Sequence, residues 1–354
     1  MVTDPPTTGA GAPAPAAGGP RGWRTVLALV EQVTGLAVGQ TVRLPVAPED
    51  APTVAAWCRR TGNELVSIRD GTAVVRRGVP AAIGDPIAAL PPQQRPGARL
   101  WIYTNFDCNL ACDYCCARSS PQAARRAIGA DRIATLAAQA AAEGVAEILL
   151  TGGEPFLLTD LDVAVAACTA HLPTTVLTNG MLFRGSRLLM LRRMPRERLA
   201  LQISLDSATP DRHDRHRGAG TWRRALDGIR VALGEGFRVR VAATVAIGED
   251  DRSEEAALHA LLDELGIPAE DRVVRPVARR GFATDGVELT PQALVPEVTV
   301  TADGVYWHPV GADHPDQLVT REILPLGPAI AEVRRRFVEY RRTADLAAER
   351  FPCA

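Results

Sequence analysis

The chain has 354 residues, 46% hydrophobic and 23% charged, enough for a large core and for one large domain with appendages. Its formal net charge is −1 and all its basic residues other than histidine are arginine, so no overall positive field draws it to nucleic acid or anionic lipid. No apolar run approaches the ~20 residues that a membrane span needs, and no basic-then-apolar stretch opens the chain. The expectation is a cytoplasmic protein, without membrane or nucleic-acid partner, whose thiols stay reduced.

Residues 1–21, "MVTDPPTTGAGAPAPAAGGPR", offer little to bury and read as a disordered tail. Residues 22–79 read as a small α/β module. A helix in "WRTVLALVEQV" is followed by a strand in "QTVRLPVA". A second helix lies in "APTVAAWCRRTG", with Thr53 as its cap and Gly62 just past its end. Two strands in "ELVSIRDGTAVVRRG" meet at Asp70-Gly71, a favoured hairpin turn. Residues 80–98 are a Pro-rich linker.

Over residues 99–285, strands alternate with helices six times, from "RLWIYTNF" through "AEILLTGG", "TTVLTNG", "RLALQISLD" and "RVRVAATVAIG" to "DRVVRPVA". That alternation predicts a parallel sheet with crossover helices. The strands are nearly continuous apolar runs, as expected when both faces are covered. Six units are too few for a closed eight-fold barrel and suit an open partial barrel or a doubly wound sheet. Either places the chemistry at the C-terminal ends of the strands. Residues 286–354 read as a hairpin around Asp303-Gly304 and a long closing helix.

Four of the seven cysteines crowd into "NFDCNLACDYCCARSS", directly after the first of these strands. Cys108, Cys112 and Cys115 have the spacing C-x3-C-x2-C, with Cys116 beside them. In a reducing compartment such a group is metal-binding or catalytic. A structural zinc site usually draws two distant pairs of ligands. Here all candidates share one short loop, and the Asn, Asp and Arg around them argue against buried structural cysteines. A cubane cluster is usually held by four thiolates; three would leave one iron open to a ligand.

With Tyr114 just before the third cysteine, the loop resembles that of the radical S-adenosylmethionine (SAM) enzymes. The resemblance covers residues 99–285 and implies a (β/α)6 partial barrel. It implies that Cys108, Cys112 and Cys115 hold a [4Fe-4S] cluster whose open iron binds the amino and carboxylate groups of SAM. An electron from the cluster would then cleave SAM to a 5′-deoxyadenosyl radical that abstracts hydrogen from a substrate. In "LLTGGEP", Gly152, Gly153 and Glu154 match the segment that holds the SAM amino group. Tyr114 would pack near the adenine, and Thr178 and Asn179 in "TVLTNG" would face the cofactor. Ser204 and Asp206 in "LQISLDS" would contact ribose or carboxylate, with Arg217 of "RHRGAGTW" at the carboxylate. Arg275 and Pro276 would lie over the adenine.

The residues alone also allow plainer roles: a glycine turn at 152–153, a turn into Gly180, caps or loop hydrogen bonds for Ser204 and Asp206, and a solvated basic loop for Arg217. Thr221 reads as the N-cap of the next helix, and His213 and His216 as surface residues. The implied partners are an external reductant, flavodoxin or ferredoxin, and a peptide or small-molecule substrate.

Residues 286–354 have the outline of the SPASM or twitch extension of peptide-maturing members. After Cys168, however, only Cys353 remains, so no auxiliary cluster is expected. His308, Asp313 and His314 are candidates to face the substrate, and Cys353 for a thiol hydrogen donor. Cys168 reads as core; Cys116 reads as packing, as a neighbour of the cluster or as a substrate-facing thiol. The N-terminal module resembles the TusA-type sulfur carriers without their Cys-Pro-x-Pro motif, and its Cys58 sits elsewhere, which points to substrate or partner binding. The rival readings are a non-catalytic iron–sulfur redox sensor or scaffold on the same fold, and a zinc-binding interaction protein.

Overall fold

The computed structural model describes residues 23–78, 85–245 and 251–350, so the tail at 1–21, part of the linker and Cys353 lie outside the described residues. The chain divides into two compact units, one up to residue 84 together with 344 onward, the other spanning 85–343. Among the described residues no helix is long and apolar enough to cross a membrane.

The first unit contains α1 (Trp23–Thr34), β1 (Thr41–Pro45), α2 (Ala51–Thr61), β2 (Glu64–Arg69) and β3 (Thr72–Arg76). Its antiparallel sheet has the order β1-β3-β2. Asp70 and Gly71 have φ of 51° and 70°, the positive pair that a tight type I′ hairpin requires. Leu29, Val33, Leu44, Val54, Cys58 and Val75 form a small core. α2 starts earlier than the sequence suggested. Pro52, whose fixed φ suits a first turn, lies at the helix start, so Thr53 sits inside the helix and does not cap it. Gly62 ends it in the left-handed region, with φ 71°.

The second unit runs β4 (Arg99–Tyr103), α3 (Ala130–Ala142), β5 (Glu147–Thr151), α4 (Leu161–His171), β6 (Thr174–Thr178), α5 (Gly185–Arg193), β7 (Leu199–Ser204), α6 (Pro210–Arg217), α7 (Thr221–Gly234), β8 (Arg238–Val245), α8 (Asp251–Glu264) and β9 (Arg272–Pro276). It continues with β10 (Thr299–Thr301), β11 (Gly304–Tyr306), β12 (Leu318–Thr320) and most of α9 (Leu326–Arg350). All eight strands named from β4 to β11, with β12, belong to one nine-stranded sheet, ordered β12-β11-β10-β4-β5-β6-β7-β8-β9. From β4 to β9 the strands are parallel and follow sequence order. A doubly wound sheet reverses its order at a switch point; this one does not, and it is a partial barrel.

Each barrel strand has two unlike faces. Leu100, Ile102, Ile148, Leu150, Val176, Leu201, Ile203, Val239 and Val241 pack with the helices in one core. The alternate positions mix apolar Trp101, Leu149, Leu177 and Ala200 with polar Glu147, Thr175, Gln202 and Arg240. The helix side is thus uniformly apolar and the other side only partly so. On the other, Thr175 donates to Glu147 at 2.9 Å, which also pairs with Arg240 at 3.6 Å.

The extension is not a separate layer: β10 pairs in parallel with β4, and β11 and β12 carry the sheet on by antiparallel pairing. β12 was missed because three residues are too short for a periodic signal. Helix α6 was also missed, because "PDRHDRHR" has no apolar repeat. Its residue Asp214 takes the capping role expected of Thr221, accepting from Gly220 N–H at 2.6 Å and Trp222 N–H at 2.7 Å. The Thr221 hydroxyl instead donates to Gly218 O at 2.6 Å.

Candidate functional site

The cysteine loop leaves the C-terminal end of β4 and is gripped from two sides. On one side are the glycines after β5. Gly153 N–H donates to Asn105 O and Glu154 N–H to Asp107 O, both at 3.0 Å. A Cβ on Gly153 would lie 2.2 Å from Asp107 O, and one on Gly152 2.5 Å from Asn105 O. The close approach that demands glycine is to the protein's own loop. On the other side, Phe282 N–H donates to Cys115 O at 3.0 Å. A Cβ on Gly281 (φ 65°) would lie 2.1 Å from that same oxygen. Gly153→Ala should therefore displace the loop at a cost of about 1–3 kcal/mol, as overpacking does. A lowered melting temperature together with a lowered iron content after reconstitution would show it; an unchanged pair of values would contradict the grip.

The loop already offers hydrogen bonds to sulfur. Leu110 N–H points to Cys108 Sγ at 3.4 Å, and Ser119 N–H to Cys115 Sγ at 3.3 Å. The Ser119 hydroxyl is buried and has no partner among the described residues. Burial, helped by Glu154, pushes the Cys108 thiol up to about 12. Burial pushes Cys112 up to about 11 against the opposing charge of Arg217. Coordination to a metal deprotonates such thiols outright. Among the described residues no three Cys, His, Asp or Glu side chains converge on a point that one ion would fill. A cubane does not ask for that, since each thiolate binds its own iron. The thiols, the N–H groups aimed at sulfur and the orphan hydroxyl fit such a cluster.

Glu154 is fully buried. Its Oε1 accepts from Phe156 N–H at 3.0 Å and the Thr178 hydroxyl at 2.8 Å, and its Oε2 from Asn179 N–H at 2.8 Å. Burial raises its pKa, and those three donors oppose the rise. The carboxylate thus staples the end of β5 to the end of β6, and only Oε2, with one donor, keeps ready capacity for a ligand. Asn179 extends the link by donating its side-chain N–H to Asn109 Oδ1 at 2.8 Å, inside the cysteine loop.

The structure brings Tyr114, Asp206 and Arg217 together. Arg217 grips Asp206 with two parallel bonds, Nε to Oδ2 at 2.6 Å and Nη2 to Oδ1 at 3.1 Å. The Tyr114 hydroxyl donates to Oδ2, and Thr244 N–H donates to Oδ1 at 3.0 Å. Burial acts to raise the Asp206 pKa, but the Arg217 charge and these bonds outweigh it and hold the carboxyl below its usual range. Arg217 is held well above its own, because Asp206 overcomes the effect of burial. Ser204 is half-buried at the end of β7.

His213 is not a surface residue: it is buried, and its Nδ1 accepts from Asp206 N–H at 3.1 Å. Burial drives its pKa down to about 4. His216 pairs with Asp113 at 2.9 Å on the rim. Neither Thr244, which acts through its backbone, nor the buried role of His213 carries a sequence signal.

Cys116 follows Cys115 directly; burial, helped by the charge of Cys115, pushes its thiol up to about 11 with Arg275 opposing. The Tyr103 hydroxyl donates to Pro309 O at 2.7 Å. Cys168 lies in the barrel core, as expected. Asp313 pairs with Arg118 at 2.7 Å and His314 with Asp316 at 2.6 Å, while His308 accepts from Val310 N–H at 3.3 Å. Pro276 closes β9 and is exposed.

A parallel partial barrel with a thiol-rich loop at the C-terminal end of its first strand defines a class. Residues 102–261 match the family model for the Radical SAM superfamily, and the chain contains a radical SAM domain there. Members of this superfamily of enzymes use a [4Fe-4S] cluster and S-adenosylmethionine.

Similar proteins include the molybdenum cofactor biosynthesis protein 1 of Drosophila melanogaster, 36% identical over 38% of this chain and 24% of its own length. The antilisterial bacteriocin subtilosin biosynthesis protein AlbA of Bacillus subtilis (strain 168) is 31% identical over 39% of this chain and 31% of its own. The GTP 3′,8-cyclase of Lactiplantibacillus plantarum is 32% identical over 41% of this chain and 44% of its own. The chain thus spans less than half the length of these relatives. The solved structure of native anSMEcpe with bound AdoMet and Kp18Cys peptide shares the fold, with a TM-score of 0.51 and 14% identity over 68% of this chain and 82% of that one.

Proposed function

We propose that this protein reductively cleaves SAM and uses the resulting 5′-deoxyadenosyl radical to abstract hydrogen from a peptide or small-molecule substrate. The observation that carries this reading is the cysteine loop itself: three thiols, two of them already receiving backbone N–H groups, clamped at the C-terminal end of β4 beside the Tyr114–Asp206–Arg217 group.

In this reading Cys108, Cys112 and Cys115 hold the cluster, which when bound supplies the electron and an iron open to SAM. The residues around it bind and orient. Arg217 engages two of its five N–H groups with Asp206, and those remaining can fork onto a carboxylate. Asp206 fixes the plane of that fork and the position of the Tyr114 ring, so its part is to position its neighbours, with no ligand contact of its own. Oε2 of Glu154 and the backbone of Gly152 and Gly153 are the groups assigned to the SAM ammonium. Ser204 and Asn179 complete the polar rim.

The names of the relatives span a peptide product, the bacteriocin subtilosin, and a nucleotide, GTP, so both substrate classes stay within the proposal. An external low-potential reductant, flavodoxin or ferredoxin, is part of it. The N-terminal unit, whose Cys58 is buried in its own core, is proposed as a binding module.

The test is anaerobic reconstitution with iron and sulfide, reduction with dithionite, addition of SAM and assay of 5′-deoxyadenosine. A brown protein that releases 5′-deoxyadenosine is the expected result. A brown protein that releases none with any reductant would point to a redox sensor or scaffold, and a colourless protein holding zinc would overturn the cluster assignment.

A further inference from the structure

Helix α6 has no apolar repeat, yet one side of it is anchored twice to a single residue. His213 and Arg217 are four positions apart, so they stand on the same side of the helix, one turn from each other. Both bond to Asp206, just past the end of β7. Arg217 takes its carboxylate, Nε to Oδ2 at 2.6 Å and Nη2 to Oδ1 at 3.1 Å. His213 takes its main chain, with Asp206 N–H donating to Nδ1 at 3.1 Å.

His213 is fully buried. A main-chain N–H can only donate, so Nδ1 is the acceptor and the neutral ring carries its proton on Nε2. Burial and the Arg217 charge keep the ring neutral against the opposing charges of Asp206 and Asp214. Nε2–H is itself buried and has no partner among the described residues. A buried donor left without an acceptor lowers stability, and an apolar side chain would bring no such donor. The ring is explained by what Nδ1 holds, not by packing.

A helix held at one residue can still roll about that point. The second anchor, one turn back along α6, removes this freedom. The other contacts of the helix do less to fix it: His216 and Asp113 meet on the exposed rim at 2.9 Å, and Asp214 binds the start of α7.

We propose that His213 is a positioning residue for SAM: by holding the main chain of Asp206 it sets the roll of α6, and so the direction in which the remaining N–H groups of Arg217 meet the SAM carboxylate. It acts through Arg217, and the inference rests on the reading of Arg217 as the group that binds that carboxylate.

The experiment measures SAM affinity by equilibrium dialysis on the reconstituted protein, beside urea unfolding, for three variants. His213→Asn keeps an acceptor at the place of Nδ1 but is smaller than the ring. His213→Gln is nearer the ring in volume but carries its acceptor further out, near the place of Nε2. His213→Leu fills the space with no acceptor at all. The Asn variant should bind SAM as tightly as the parent, even though the cavity it leaves lowers its urea midpoint. The Gln and Leu variants should bind several-fold to about tenfold more weakly, the equivalent of one hydrogen bond. A packing role predicts the reverse order, with Gln and Leu ahead of Asn.

The proposal is overturned if the Gln or Leu variant binds SAM like the parent, or if the Asn variant binds no better than they do. It is also overturned if the Asn variant does not fold, since packing would then be what the ring supplies. Should one of the Gln and Leu variants fail to fold, the other decides. A parent protein that binds no SAM would sink the proposed function and this inference together; a parent that binds SAM while all three variants bind alike sinks this inference alone.

Discussion

Cys112→Ala protein should emerge from reconstitution without a full cluster, its iron and sulfide content well below that of the parent and its 5′-deoxyadenosine release below detection. The expectation rests on how little redundancy the loop contains. Each of the three thiols would serve a different iron. Cys116 is the obvious substitute by sequence, but it lies outside the C-x3-C-x2-C spacing, and burial pushes its thiol up to about 11. Cys168 is in the barrel core and Cys58 belongs to the other compact unit. Cys116→Ala is therefore the informative partner: it should keep its cluster. If Cys112→Ala still held a full complement of iron and cleaved SAM, the ligand assignment would be wrong. If Cys116→Ala lost the cluster as well, the loop would be using a fourth thiolate and the open iron would have no basis.

Much of this site could be read from the chain before any fold was known, because its parts are sequence-local. Cys108, Cys112 and Cys115 lie on one loop, and Gly152, Gly153 and Glu154 on another, each directly after a strand whose apolar run announces it. What could not be read is what these residues do to one another. Gly153 looked like room for a ligand, yet the oxygen that excludes a side chain there is Asp107 O, 46 positions away in sequence on a different loop. Glu154 looked like a free carboxylate, but Thr178 and Asn179 hold it across a strand gap. Asp206 and Arg217 looked like two separate ligand contacts and are one ion pair. The third strand of the extension and the polar helix α6 left no periodic trace, and that helix is what turns His213 inward and carries Arg217 to Asp206.

That pairing supports the other large effect. Arg217 and Asp206 have side chains only 10% and 4% exposed. Removing one partner of a buried pair leaves an uncompensated charge and costs about 3–5 kcal/mol, a large part of the roughly 5–15 kcal/mol by which a domain is stable. Asp206→Asn should therefore unfold at markedly lower urea and bind SAM weakly, since both the Arg217 fork and the Tyr114 ring lose the group that orients them. Stability and ligand binding can be separated by removing both charges. Asp206→Leu with Arg217→Met should recover much of the lost stability, because neither charge remains to be desolvated. It will not recover all of it, since the Tyr114 hydroxyl and Thr244 N–H are left without an acceptor. SAM affinity, measured by equilibrium dialysis on the reconstituted protein, should stay lost in the double variant. A double variant that regained SAM affinity along with its stability would show that Arg217 serves the fold alone. An Asp206→Asn protein as stable as its parent would show that the pair is not the buried hub its geometry describes.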